Sequence, residues 1–232
     1  MKISIVDFVA GAESARGHVV VIDVFRAFSV AAYAFARGAA GIIPVAAIET
    51  ARQLKDEDPA RILLGERHAR PLPGFDCGNS PTDLERLEVT GRWLVHTTHS
   101  GTQGLTSARA ADEVLTGALV NAGAIVRYLR ERNPAEVTIV RMGHEARERC
   151  DEDDACAELL AARLRGESPS TAEIRTRLKQ AASAKKFFDP ACDWAPERDF
   201  ELCTAVDRFD FVLRLNRSVS PAVLEKIAVG GE

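Results

Sequence analysis

Five clusters of chemically active side chains stand where apolar runs of the chain stop. Asp23 closes the run HVVVIDV (18–24) and Arg26 opens the next helical pattern, which brings an anion and a guanidinium to one place; a helix-capping ion pair would use the same two residues. Glu66 directly follows ILLG, where an acid serves as metal ligand, base or solvated loop residue. The segment GFDCGNSP (74–81) must be a loop, because Gly74, Gly78 and Pro81 interrupt any strand ladder. It offers Asp76, Asn79 and Ser80, and NSP followed by TDLERLE reads as a capped helix start whose free N–H groups suit an anion. TTHSGT (97–102) presents Thr97, Thr98, Ser100, Gly101 and Thr102 before another helix, a donor set suited to phosphate or carboxylate. It lacks the lysine of a nucleoside-triphosphate loop. Finally, DEDD (151–154) sets four acids in succession at a helix start, more than the helix dipole calls for, and a divalent cation would relieve their repulsion. Together these clusters describe hard oxygen ligands for Mg²⁺ beside donors for an anionic substrate.

Other reactive residues fit less well. Cys77 lacks the arginine six positions on that a thiol phosphatase needs, since that position is Asp83, and it reads as a small buried residue. His68 and His99 read as hydrogen-bonding loop residues. Five cysteines without a CxxC pair or zinc spacing point to a reduced, cytoplasmic protein. A net charge of -4 gives no basic footprint for nucleic acid, and no apolar run approaches a membrane span or signal peptide.

The elements that must position these groups alternate. Strand patterns cover 18–24, 41–45, 61–66, 93–98, EVLTG and 136–142; helical patterns cover 26–39, 47–57, about 100–111, 121–132 and 151–166. Beyond them lie one or two helices in SPSTAEIRTRLKQAASAKKFF, then a helix and strand in ERDFELCTAVDRFDFVLRL. Strands rich in Val, Ile and Leu imply a sheet covered on both faces. The expected class is α/β, a three-layer αβα arrangement about a mostly parallel or mixed sheet, in a single compact domain over 1–232. VVVIDVFRAFSVAAYAFARGAAGIIPV and RWLVHTTHSGTQGLTSARAADEVLTG share one pattern of strand, polar turn, small-residue helix and strand. That echo suggests two similar lobes, about 1–90 and 91–215.

VVVIDVFRAFS, LLGER, GFDCGNSP, VHTTHSGT, VLTGALVNAGAIVRYL, EDDACAELL and DFELCTAVDRFDFV, in this order, resemble the 2-phosphosulfolactate phosphatase family over roughly residues 1–215. The resemblance implies Mg²⁺-dependent hydrolysis of (R)-2-phospho-3-sulfolactate to sulfolactate and phosphate, in coenzyme M or sulfolactate metabolism. On this reading Asp23, Glu66, Glu152 and Asp153 include the metal ligands. Arg26, Asn79, Ser80, Thr97, Thr98, Ser100, Gly101 and Thr102 bind the substrate. The nucleophile is a metal-activated water or a carboxylate, with Asp23, Arg26 and Asp76 as the catalytic candidates. The family motif near position 97 is closer to TTTNGT, and here His99 and Ser100 stand at its variable places; Arg67, His68 and Ala69 replace the usual glycines after the GE pair. Two alternatives stay open: a phosphatase for another small phosphorylated hydroxy acid, and a non-catalytic binder of an anionic metabolite. The partner expected is a small anionic phosphoester, without nucleic acid or membrane, and a homo-oligomer is compatible with the sequence.

Overall fold

Val19, Val20, Val21 and Ile22 are all fully buried, which a strand achieves only with both faces covered. Val19 and Val21 enter one apolar cluster and Val20 and Ile22 another, as side chains of alternating direction must. The computed structural model describes residues 1–230. Its first half contains β1 (Lys2–Asp7), α1 (Phe8–Ser14), β2 (His18–Ile22), α2 (Ala27–Ala36), β3 (Gly41–Pro44), α3 (Ile48–Glu57), β4 (Ile62–Arg67), the short β5 (Arg70–Pro71) and α4 (Pro81–Leu84). There follow β6 (Trp93–Thr97), α5 (Gly101–Ser107), β7 (Glu113–Gly117), α6 (Ala122–Arg132), β8 (Glu136–Arg141) and α7 (Asp151–Leu164). The chain closes through α8 (Thr171–Lys179), α9 (Glu197–Cys203), β9 (Phe211–Asn216) and β10 (Val223–Ala228).

The strands form one 10-stranded sheet in the order β1-β8-β2-β7-β9-β10-β3-β6-β4-β5. Two parallel blocks, β1-β8-β2-β7 and β3-β6-β4, are joined through the antiparallel pair β9 and β10. The joints are thin: Leu115 opposite Arg214 on one side, Leu224 opposite Ile42 on the other. The class is thus α/β with a mixed, mostly parallel sheet between helices. The blocks interleave along the chain, with β2 and β7 in one and β3 and β6 in the other. A boundary near residue 90 therefore cuts across both. The two echoing segments, β2-α2-β3 and β6-α5-β7, each cross from one block to the other, in opposite directions.

A flat sheet at about 4.8 Å per strand would hold β2 and β6 roughly 24 Å apart. Yet the N–H of Gly101, just after β6, bonds the Asp23 carboxylate, just after β2, at 2.9 Å. The sheet curls, and α2 explains the curl. Its sequence AFSVAAYAFA is buried on nearly every side, and its apolar cluster takes in Val19 and Val21 from one block and Ile42, Leu64 and Leu94 from the other. A helix apolar all round belongs in a core. The outer face of the first block carries α6 and α7, and that of the second carries α3.

The sequence patterns miss four elements: β1, α1, the two-residue β5 and β10. β1 is an edge strand with every residue at least partly exposed, and β10 is buried only at Val223 and Leu224 before half-buried and exposed residues alternate, so neither presents a long apolar run.

His96 in β6 is fully enclosed, its Nε2 donating to Asn79 Oδ1 at 2.7 Å, and burial pushes its pKa down to about 4. The unfolded chain takes up a proton below pH 6.5, whereas the folded one resists until about pH 4. Stability is therefore lost as pH falls through that window, by roughly 3 kcal/mol at most. Urea unfolding at pH 7 and pH 4.5, in the parent and in a variant without the imidazole, separates this loss from the opposite contribution of buried carboxylates whose pKa values are raised, which both proteins share. His96→Gln, which keeps a donor for Asn79, should lose distinctly less.

Candidate functional site

Residues that follow β2, β4, β6 and β8 line a single cavity of about 440 Å³, so the carboxyl ends of both parallel blocks converge on it. This is where open α/β sheets place ligands. Asp23, Glu66, Glu152 and Asp153 all lie in its wall and all are buried. Three of them staple separate segments together. Asp23 accepts the N–H of Ala27 at 3.1 Å and of Gly101 at 2.9 Å, joining the starts of α2 and α5. Glu66 accepts from His99 at 2.7 Å and Ala69 at 2.8 Å, and Asp153 from Val24 at 2.9 Å and Gly143 at 2.8 Å. Glycine is required at two of these donors. A Cβ on Gly101 would meet Asp23 Oδ2 at 2.8 Å, and Gly143 has φ +64° with the Glu148 carbonyl in the way.

The fourth acid differs. Glu152 is almost wholly buried and its Oε2 has no hydrogen-bond partner among the described residues. Its charge acts on its neighbours. Burial raises the Asp23 pKa to about 7, with Glu66 and Glu152 adding to the rise, and burial followed by Asp23 and Glu152 raises that of Asp153 well above the usual range. The two backbone bonds to each do not offset this. Hard oxygen donors, mutual repulsion and an orphaned buried carboxylate oxygen fit a divalent cation. Cys150 lies beside Glu152 and Asp153, and burial pushes its thiol far up.

Other predicted site residues fare unequally. Arg26 lines the cavity, but its Nη1 is engaged by Asp199 at 2.7 Å and the Trp194 carbonyl at 2.9 Å, and its guanidinium lies over the Phe187 and Trp194 rings. Asp199, wholly buried, also accepts from Ser80 Oγ and the Thr82 N–H. Ser80 thereby becomes a brace for Arg26 as well as the cap of α4, through the N–H of Asp83, and does not line the cavity. Asn79 and Ser100 do line it, Ser100 Oγ holding the Ala146 N–H at 3.0 Å. Thr98 and Thr102 turn inward and bond each other reciprocally, while Thr97 Oγ1 accepts from Arg67 and donates to the Ala46 carbonyl. Asp76 departs furthest from expectation. Its carboxylate takes the Leu63 N–H at 2.8 Å and Lys55 at 3.3 Å, partly exposed and outside the cavity, where it ties the loop to β4.

The rest of the wall went unread in the sequence: Arg149, Lys186, Ser183, Trp194 and the segment around Glu145. Arg149 is paired with Asp154, but Lys186 has only the Phe25 and Phe187 rings beside it and no carboxylate partner among the described residues. Of nine buried polar atoms lacking a partner among those residues, four belong to this wall: Glu152 Oε2, His99 Nδ1, Ser183 Oγ and Trp194 Nε1. Buried polar groups are rarely left so, and their concentration here marks a ligand site.

A family model described as 2-phosphosulpholactate phosphatase matches residues 5–218. A protein of Bacillus subtilis (strain 168) named probable 2-phosphosulfolactate phosphatase is 30% identical over 213 residues, covering 90% of this chain and 92% of that one. Proteins of the same name from Thermotoga petrophila and Thermotoga maritima are each 33% identical over 213 residues, covering 86% of this chain and 89% of theirs. The matched span takes in every segment that reaches the cavity, from Asp23 to Trp194, and the chain accordingly belongs to the 2-phosphosulpholactate phosphatase family, whose members are phosphoric monoester hydrolases.

Proposed function

We propose that the chain hydrolyses (R)-2-phospho-3-sulfolactate to sulfolactate and phosphate, with Mg²⁺ held by Asp23, Glu66, Glu152 and Asp153. The observation that carries the reading is the unpartnered Glu152 oxygen inside a buried acid cluster, in a cavity whose lining also offers donors unpaired among the described residues. When bound, Mg²⁺ neutralises phosphoryl oxygens and acidifies a neighbouring water. Lys186, Trp194 Nε1 and Ser183 Oγ are donors free for the carboxylate, sulfonate or phosphoryl oxygens of the substrate, and Arg26, braced by Asp199, adds a fixed positive charge. Water is favoured over a side chain as the attacking group. Asp76 stands outside the cavity, and both oxygens of Asp23 are bound to backbone N–H groups that lower their nucleophilicity.

Phosphate release from a panel of phosphorylated hydroxy acids, with Mg²⁺ or with EDTA, tests the reading; activity on the sulfonated substrate that survives EDTA would sink the metal role. Glu152→Gln should cut Mg²⁺-dependent release by roughly 10- to 100-fold or more. The same change removes an uncompensated buried charge, so it should raise the stability of the metal-free protein by about 1 kcal/mol and abolish the rise in Tm on adding Mg²⁺. Lys186→Met should raise KM about tenfold, near 1.4 kcal/mol, with a smaller change in kcat. Asp76→Ala should keep near-parental turnover while losing about 1 kcal/mol of stability, measured by denaturant unfolding. Loss of turnover in a folded Asp76→Ala protein would return that carboxylate to the mechanism.

A further inference from the structure

A second group of metal-binding side chains faces the same cavity. His68 stands at the end of β4, His99 after β6 and Glu145 after β8, and one ligand atom from each lies within 4.8 Å of the other two. His68 Nδ1 is 2.5 Å from Glu145 Oε1, and the two imidazoles meet edge to face with centroids 4.9 Å apart. His99 Nδ1 is buried without a partner among the described residues.

The three loops are held in place independently of these side chains. The N–H groups of Ala69 and His99 share the Glu66 carboxylate, and that of Ala146 is held by Ser100 Oγ. His68, Ala69, Glu145 and Ala146 all have φ between 51° and 61°, a left-handed conformation that side-chain-bearing residues seldom adopt. The backbone therefore presents His68 and Glu145 to His99 by construction.

Two imidazoles and one carboxylate form the ligand set of open zinc-type sites, with a fourth position left for water or substrate. Bonds of about 2.0 Å in tetrahedral array separate ligand atoms by roughly 3.3 Å. An ion would enter by replacing the His68–Glu145 hydrogen bond, and the side chain of His68, 70% exposed, has room to turn. It would also supply the missing partner of His99 Nδ1. We propose that His68, His99 and Glu145 form a second metal site, for a zinc-type divalent transition ion, that opens on the cavity and is distinct from the acid cluster. Mg²⁺, which demands oxygen ligands in near-octahedral array, does not compete for it. An ion here adds positive charge to the cavity wall, a further anchor for an anionic group.

Metal-stripped full-length protein titrated calorimetrically with Zn²⁺ in excess Mg²⁺ should take up one ion per chain at micromolar protein. His99→Ala and Glu145→Gln should each weaken uptake by at least about tenfold, the lower bound for losing even a ligand's hydrogen-bond partner. Co²⁺ in place of Zn²⁺ should give visible ligand-field absorption that disappears in the His68→Ala/His99→Ala double variant. Glu152→Gln should leave both signals intact, which separates this site from the acid cluster and from the phosphatase reading. No Zn²⁺ uptake in Mg²⁺, uptake that persists in the double variant, or uptake lost in Glu152→Gln would each overturn the proposal. Should a histidine variant fail to fold by circular dichroism, Glu145→Gln decides.

Discussion

Three buried carboxylates hold the site together, and everything else in it follows from that arrangement. Asp23, Glu66 and Asp153 each bind two backbone N–H groups from different stretches of chain, so six loop or helix-start donors close on three acids. Bonds to a charged acceptor contribute roughly 1.5–3 kcal/mol each. They anchor the ends of both strand blocks, and they also gather negative charge where water is scarce. Burial still wins over the two bonds at Asp23, whose pKa rises to about 7. Glu152 and Asp153 occupy the first turn of α7, where the helix dipole favours anions and offsets part of this repulsion, and the proposed cation would complete the cluster.

The carboxylates could not meet without α2. Its small and aromatic residues fill the space inside the curled sheet, letting strands from both blocks pack on one helix. Asp23 and Arg26 flank the entry to that helix, which makes the start of α2 the point where core packing and site chemistry coincide. Arg26 in turn depends on Asp199, buried on α9 from the last part of the chain. Such an ion pair brings little net stability, but removing one partner strands a buried charge, and it fixes the guanidinium beside the cavity.

Much of this was legible in the sequence, for a physical reason. Asp23 and Glu66 stand at the ends of apolar strands, and Glu152 and Asp153 at a helix start; those are the positions that α/β folds bring together. What the sequence hides is the direction a polar side chain faces. Asp76 and the threonines at 97, 98 and 102 have the chemistry of ligand groups, yet they bond to their own neighbourhood. The four-residue spacing of Thr98 and Thr102 was the available clue, since it suits reciprocal capping at a helix start. Lys186, Ser183 and Trp194 come from a region without strong periodicity, and Asp199 sits inside a helix with no local pattern to mark its partner 173 positions away. The curl of the sheet was equally hidden, because strand order depends on contacts that composition does not encode.

The thin joints made by β9 and β10 have a consequence for how the protein is made. During synthesis the ribosome releases β2, β7 and β8 together with β3, β4 and β6 well before residues 211–228 emerge. Until then β7 and β3 each present a bare edge, able to template wrong pairings with nascent neighbours. The hairpin arrives last and closes both, a keystone without which the sheet stays incomplete until nearly the whole chain has been made.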